Sequence, residues 1–221
     1  MTETPADTMQ FGSAVSIRVY SLELLNGSLF EQMLARKEER ETLPKQPITA
    51  LLLAAASSEA FLNEFCEYVP LIYQAHRVAM PPALASCVDI LNDLEGSRIS
   101  VTTKYLYASR VLGDKGFNAG QNPYQDFRLL VDLRNAIMHM RVARDNVARR
   151  ATDVLIGRGL ARPAIAPTLS WFDCLKTSAV AQWAHESAFA LIVSFLQMVP
   201  APEPIDPLLG YRSYFSRPKT A

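Results

Sequence analysis

Residues 48–69 read ITALLLAAASSEAFLNEFCEYV and carry the most strongly helical pattern of the chain. Apolar residues recur there at spacings of three and four, which is typical of a helix packed into a core. Hardly any other segment has the alternation of a strand. Further helical patterns occupy residues 21–42, 82–95, 98–112 and 123–150, and a last helix begins near Thr177 and ends before the sequence PAPEP. The chain is therefore predicted to be all-α, an up-and-down helical bundle of four to five main helices.

The two ends of the chain are predicted to lie outside this bundle, which spans residues 48–199. Residues 1–47 form an N-terminal extension that is partly disordered, above all over 1–12, and that contains one helix. The stretch AVSIRVY at 14–20 fits either a short strand or an early helix turn. Residues 200–221 are rich in proline and are expected to be an extended tail.

Composition and charge restrict the classes of function. Hydrophobic residues make up 49% of the 221 residues, which is ordinary globular composition. Basic and acidic residues balance at 22 each, so no overall field attracts the chain to nucleic acid or membrane, and any basic patch must be local. The cysteines Cys66, Cys87 and Cys174 form no CxxC pair and indicate free thiols in a reducing compartment. Without a signal peptide or an uninterrupted apolar span, the sequence predicts a cytoplasmic protein that does not contact membranes.

A polar triplet interrupts the helical pattern at residues 132–140, DLRNAIMHM. On a helix, Arg134, Asn135 and His139 lie away from the main apolar stripe, and the last two are neighbours because they are four residues apart. Their arc also holds apolar residues, so this helix is predicted to have a second apolar face. The apolar residues within or beside that arc are Phe127, Val131, Met138 and Val142. A helix that is apolar on both sides is either deeply buried or lies at a subunit interface. The simpler interpretation is that the second face meets a partner such as another copy of the chain, so that two triplets face each other in a homodimer.

The three side chains suit one chemistry in particular. Arginine binds phosphate through a planar, charged fork, and histidine can take or give a proton near neutrality. Asparagine can orient either group or hold a ribose hydroxyl. Together they suit attack by an RNA 2′-hydroxyl on its adjacent phosphate. No metal-ligand spacing is visible, so neither a metal nor a cofactor is expected.

The sequence resembles the HEPN superfamily of helical domains. RNAIMH at 134–139 is similar to its R-x4-H signature with asparagine after the arginine, and NPYQDFRLLVDLRNAIMH resembles the helix that carries it. AAASSEAFLNEF at 54–65, VTTKYLYA at 101–108 and LKTSAVAQWAHESA at 175–188 resemble further helices of these domains. The resemblance covers roughly residues 48–199.

This resemblance implies a dimeric helical bundle that is a metal-independent RNA endonuclease, as in toxin–antitoxin, abortive-infection and other defence systems. Arg134 and His139 would be catalytic, with Asn135 assisting. The partners implied are RNA, a second copy and an antitoxin protein. One subgroup has a tyrosine two residues after the histidine, which a nucleotidyltransferase antitoxin modifies. Arg141 stands there in this chain, so that particular antitoxin is not expected.

Two alternatives to an RNA endonuclease stay open from the sequence. Some HEPN-like domains have lost catalysis and bind nucleotides or partner proteins, so the chain could be such a binding module. The triplet could also do no more than specify the dimer of an interaction protein.

Four further charged residues are candidates for supporting roles. Glu59 and Lys104 each fall on an apolar face, where a charge needs a partner. Glu59 could pair with Lys104 or with Arg134, so both residues are expected to support the site or to form a structural ion pair. Arg141 and Arg144 belong to a basic run that could guide RNA toward the triplet.

Overall fold

The computed structural model confirms the all-α class. It describes residues 8–11, 15–37, 45–113, 115–139, 145–163, 170–200, 206 and 208–216. The helices in these residues are α1 Tyr20–Lys37, α2 Gln46–Ala75, α3 Pro82–Gly96, α4 Val101–Leu112, α5 Tyr124–His139, α6 Asp145–Gly157, α7 Trp171–Cys174, α8 Ser178–Met198 and α9 Leu209–Phe215. Six of those after residue 45 have twelve or more residues, one more than the four to five main helices predicted for the bundle, and α1 is the helix predicted in the N-terminal extension.

A short antiparallel hairpin precedes the helices. Its strands are β1, Thr8–Phe11, and β2, Val15–Arg18, with Met9 opposite Ile17. The open choice at residues 14–20 is thus decided in favour of a strand for Val15–Arg18. The expected disorder of residues 1–12 does not hold for Thr8–Phe11, because the pairing of two strands satisfies backbone groups that one strand alone leaves open.

Helix α2 continues past the end predicted for it. The pattern of residues 48–69 stops before Pro70, yet the helix runs on through that proline to Ala75. A proline within a helix removes one backbone hydrogen bond. The buried side chains of Val69, Ile72 and Tyr73 lie on both sides of it, and their burial favours the continued helix.

The predicted single pattern over residues 123–150 is wrong in its length. Helix α5 ends at His139 and α6 begins at Asp145, with 140–144 outside the described residues. Helix α6 packs against α5, and its residues Ala148, Ala151 and Leu155 are buried. Two shorter helices that pack side by side bury more apolar surface than one long helix would.

Aromatic rings occupy the centre of the bundle. The ring of Phe195 in α8 contacts Phe61 and Phe65 of α2 and Tyr105 of α4 in edge arrangements, with centroids 5.9, 5.4 and 5.5 Å away. The hydroxyl of Tyr105 donates to the Ser58 carbonyl at 2.8 Å, so its polar end is satisfied within the core. Edge contacts of this kind add to the stabilisation from burial itself.

Helix α8 is the one described helix that is long and apolar enough to cross a bilayer by length and composition. Most of it is buried inside the protein, as in the core helix of a globular domain. Thr177 caps its first turn, its hydroxyl accepting from the amide of Val180 at 3.1 Å, and Ser170 caps the short helix α7. The start of the last helix near Thr177 was predicted from the sequence and is confirmed.

The C-terminal tail is not wholly extended, which corrects the prediction for residues 200–221. Helix α9 forms at Leu209–Phe215, and the phenol of its buried Tyr211 donates to the Glu64 carboxylate of α2. The same carboxylate accepts from the hydroxyl of Ser21 and, at 2.9 Å, from its backbone amide near the start of α1. A buried carboxylate needs such donors, and here they come from both ends of the described chain.

Replacing Tyr211 with phenylalanine should change how stability depends on pH. Burial and the Glu64 charge raise the pKa of Tyr211 well above its ordinary value. Folding therefore favours the protonated phenol, whose contribution is complete below about pH 10 and is lost as pH rises through the folded pKa. We expect Tyr211→Phe to lower the free energy of unfolding at neutral pH by about 1–3 kcal/mol, because Glu64 loses a donor. The decline in stability as pH rises above about 10 should also become smaller than in the wild type.

Urea denaturation across this pH range checks both effects. Tyr107→Phe is the matched control, because Tyr107 is 48% exposed and its replacement should leave both quantities unchanged. Tyr105 is fully buried and its pKa is also raised, so part of the alkaline decline remains in the Tyr211 variant. Identical pH profiles for wild type and Tyr211→Phe would contradict the role assigned to this phenol.

Candidate functional site

Helix α5 brings two members of the polar triplet into contact. The Nη1 atom of Arg134 donates to Oδ1 of Asn135 at 3.2 Å. Its Nη2 atom donates to the Glu59 carboxylate across the interface with α2. The Arg134 side chain is 24% exposed, so its guanidinium is held in place on two sides and still reaches solvent. Of the two partners that the sequence suggested for Glu59, the structure selects Arg134.

The third member, His139, is the last residue of α5 and is exposed. It lies one helical turn beyond Asn135 on the same side of the helix. From Arg134 it is five residues away, or about 7.5 Å along the axis. The structure therefore places an exposed imidazole at the helix end and a fixed, partly exposed guanidinium more than one turn before it.

The second apolar face predicted for α5 is mostly occupied by the protein itself. Phe127 and Val131 are buried in the core, because α2, α4, α6 and α8 all pack against this helix. Met138 remains 62% exposed beside His139, and Val142 lies outside the described residues. The exposed apolar surface that could contact a second copy is therefore smaller than the sequence predicted, and it lies at the C-terminal end of α5.

A cavity of about 190 Å³ adjoins the triplet between α5 and α6. Asp132, Asn135, Ala136 and Val147 line it. Burial raises the pKa of Asp132, and the neighbouring Arg128 acts in the opposite direction. The sequence reasoning missed Asp132 as a site residue. The signal was its position three residues before Asn135, which places both side chains on one face of the helix.

Lys104 does not pair with Glu59, contrary to one of the expected arrangements. Its ammonium forms an ion pair with Glu95 at the end of α3, which the sequence did not single out. The Lys104 side chain is 8% exposed. It lies against a cavity of about 270 Å³ lined by Leu62, Asn63, Cys66, Glu67, Leu91, Asn92, Glu95 and Lys104. Burial raises the pKa of the Cys66 thiol to about 12, so this cysteine is a neutral wall of the cavity.

Comparison with known proteins identifies no relative. The chain matches no protein-family model, no curated protein and no solved structure.

The structure describes only part of the basic run that follows α5. Arg141 and Arg144 lie outside the described residues. Arg158, from the same basic run, pairs with Asp126 of α5 at 2.5 Å and so joins α6 to the start of α5.

Of the other histidines, His185 is buried in α8 with its ring 6.2 Å from that of Phe189, and His76 is exposed in the turn after α2. Within the described ranges, no three His, Cys, Asp or Glu side chains converge as metal ligands.

Proposed function

We propose that this protein is a metal-independent RNA endonuclease that acts as a homodimer, with Arg134 and His139 as its catalytic residues. The observation that carries the proposal is the fixed guanidinium of Arg134, held by Glu59 and Asn135 five residues before an exposed histidine on the same helix. An arginine oriented in this way is prepared to bind a phosphate, since three of its five N–H groups remain for an anion.

The proposed reaction needs no group beyond the RNA and these side chains. The 2′-oxygen attacks the adjacent phosphorus while one imidazole takes the hydroxyl proton. Arg134 stabilises the negative charge that builds up on the phosphorane-like centre. The bond from phosphorus to the 5′-oxygen breaks, and a second imidazole supplies a proton to that leaving oxygen. The products are a 2′,3′-cyclic phosphate and a 5′-hydroxyl end.

The requirement for two imidazoles favours a dimer. Each chain offers a single His139, so a base and an acid at one phosphate require two copies. Exposed apolar side chains occur on both helices: Met138 of α5 next to His139, Val147 of α6 in the cavity that Asn135 lines, and Val154 about two turns further along α6, which are 62%, 48% and 43% exposed. A two-fold contact through this surface would cover them and bring the two α5 ends together. A toxin–antitoxin or phage-defence setting in the cytoplasm suits such an activity, and an antitoxin protein would then control it.

The test is cleavage of single-stranded RNA by the purified protein in excess EDTA. We expect cleavage whose products carry 2′,3′-cyclic phosphate ends, together with no cleavage of DNA of the same sequence, because DNA lacks the nucleophile. Light scattering on the same sample should give the mass of two chains. Cleavage of DNA, or cleavage that requires an added metal ion, would overturn the proposal. Binding of nucleotides with no RNA turnover would favour the non-catalytic binding module instead.

A further inference from the structure

Two ion pairs of this protein combine a shielded cation with a carboxylate that is 43% exposed or more, whereas the carboxylate of the Lys176–Asp173 pair is only 25% exposed. In each pair the cation is the less exposed partner and the carboxylate is the more exposed one. Arg134 is 24% exposed and its partner Glu59 is 43% exposed. Lys104 is 8% exposed and its partner Glu95 is 63% exposed. Each cation is thus held in a mostly buried position, whereas its carboxylate partner is more exposed and can be hydrated if the pair separates.

The Glu59–Arg134 pair and the cavity that contains Lys104 both lie along the same face of α2. Glu59 and Cys66 are seven residues apart, so they project in nearly the same direction, and Asn63 lies between them. Cys66 and Asn63 line the cavity that contains Lys104. Along the axis, seven residues correspond to about 10.5 Å. The Lys104 cavity is therefore about two turns of α2 away from the Glu59–Arg134 pair, which is close enough for one RNA strand to contact both.

An anion that enters the cavity would replace Glu95 as the ion-pair partner of Lys104. A buried ammonium without a counter-charge is costly, so Lys104 must always be paired. Glu95 can turn into solvent with little loss, because most of its side chain is already exposed. A phosphate can then take its place on Lys104, with the amides of Asn63 and Asn92 in the same cavity as hydrogen-bond donors. Glu67, which also lines the cavity, opposes an anion and limits how tightly it binds.

We propose that the Lys104 cavity is a second phosphate subsite for the RNA strand whose scissile phosphate lies at Arg134. This inference depends on the proposed function, since it assigns the path of that RNA. In the free protein Glu95 occupies the subsite, and the backbone of the bound strand displaces it. Lys104 is then a substrate-binding residue that makes no contact with the reacting atoms.

Binding of a short single-stranded 2′-O-methyl RNA, followed by fluorescence anisotropy, tests this subsite. The methyl group blocks the nucleophile, so the wild-type protein binds the RNA without cutting it. We expect Lys104→Met to weaken binding about tenfold and to reduce the slope of log affinity against log salt by about 0.7, the value for one phosphate contact on a single strand. Glu95→Gln should tighten binding several-fold, because the competing carboxylate is gone.

A second lysine pair supplies matched controls. Lys176 pairs with Asp173 at 2.8 Å, and its side chain is 15% exposed, but it lies beside α7 instead of along α2. Lys176→Met and Asp173→Asn should therefore leave RNA binding unchanged. If Lys104→Met fails to fold, Glu95→Gln decides the matter, because glutamine keeps the size of the side chain and a carbonyl oxygen that can accept from Lys104; urea denaturation checks that this variant is folded.

The possible results separate this inference from the proposed function. If Arg134→Ala weakens RNA binding while Glu95→Gln and a folded Lys104→Met do not change it, the second subsite is overturned and the endonuclease proposal stands. If the wild type binds no RNA and cuts none, both are overturned. If adenosine monophosphate binds as tightly as the RNA oligomer, and if Lys104→Met weakens its binding by the same factor, the cavity binds a small phosphate ligand. The proposed path of the RNA strand is then overturned.

Discussion

His139→Ala should lower metal-free RNA cleavage by a factor of about 10² to 10⁴, the range for loss of a general acid or base. In a dimer with one imidazole from each chain, the substitution removes both groups at once. The residue is exposed at the end of α5, so its replacement should change the free energy of unfolding by no more than about 0.5 kcal/mol. RNA binding should stay nearly constant, because Arg134 and its partners are unaffected. Initial rates in EDTA, set beside anisotropy and urea denaturation on the same samples, measure all three quantities.

His76→Ala is the matched control for this experiment. His76 is also an exposed histidine after the last turn of a helix, but it follows α2 and is separate from the triplet. Its variant should cut RNA at the wild-type rate. If His139→Ala retains that rate as well, the histidine is not the acid or base, and the assignment of α5 as the catalytic helix is wrong.

Phe195→Ala should have the largest effect on stability, a loss of about 3–5 kcal/mol in the free energy of unfolding. The ring is fully buried, and its edge contacts with Phe61, Phe65 and Tyr105 join α8 to α2 and α4. Alanine leaves a cavity that three neighbouring rings cannot fill without shifting. Because domains of this size have about 5–15 kcal/mol in total, the variant should have a much lower urea midpoint.

Phe30→Ala provides the comparison on the surface. Phe30 belongs to α1 and is 59% exposed, so the same change of side chain should cost about 0.5 kcal/mol or less. A loss below about 1.5 kcal/mol for Phe195→Ala would mean that the core adjusts to the missing ring. The close-packed aromatic centre described above would then be incorrect.

Local sequence signals predicted the long helices well and their ends less well. The starts of α3 at the proline pair and of α8 at Thr177 follow from groups that act within one turn, so the sequence is enough to place them. Where α2 continues through Pro70, burial of side chains from other helices outweighs the local cost of the proline. Helix α9 is too short to be stable alone and forms because Tyr211 reaches Glu64, a contact 147 positions away along the chain.

The candidate site shows the same division between near and distant contacts. The sequence indicated that Asn135 could orient either Arg134 or His139, and the contact formed within α5 is with Arg134. Glu59 could be recognised as a charge in need of a partner, but the choice between two cations depended on how α2 and α5 pack. The pairing of Lys104 with Glu95 was not predictable, because Glu95 lies at a polar helix end where the sequence gives it no distinction.

The three hydrogen bonds to Glu64 also define where the domain ends. A shortened protein that stops at residue 199 would keep every helix of the predicted bundle. It would nevertheless leave Glu64 with only Ser21 as a donor and would remove the Phe215 ring that packs 5.0 Å from Phe189. Recombinant fragments should therefore end after Phe215, and fusion partners should be joined there, so that helix α9 stays with the rest of the domain.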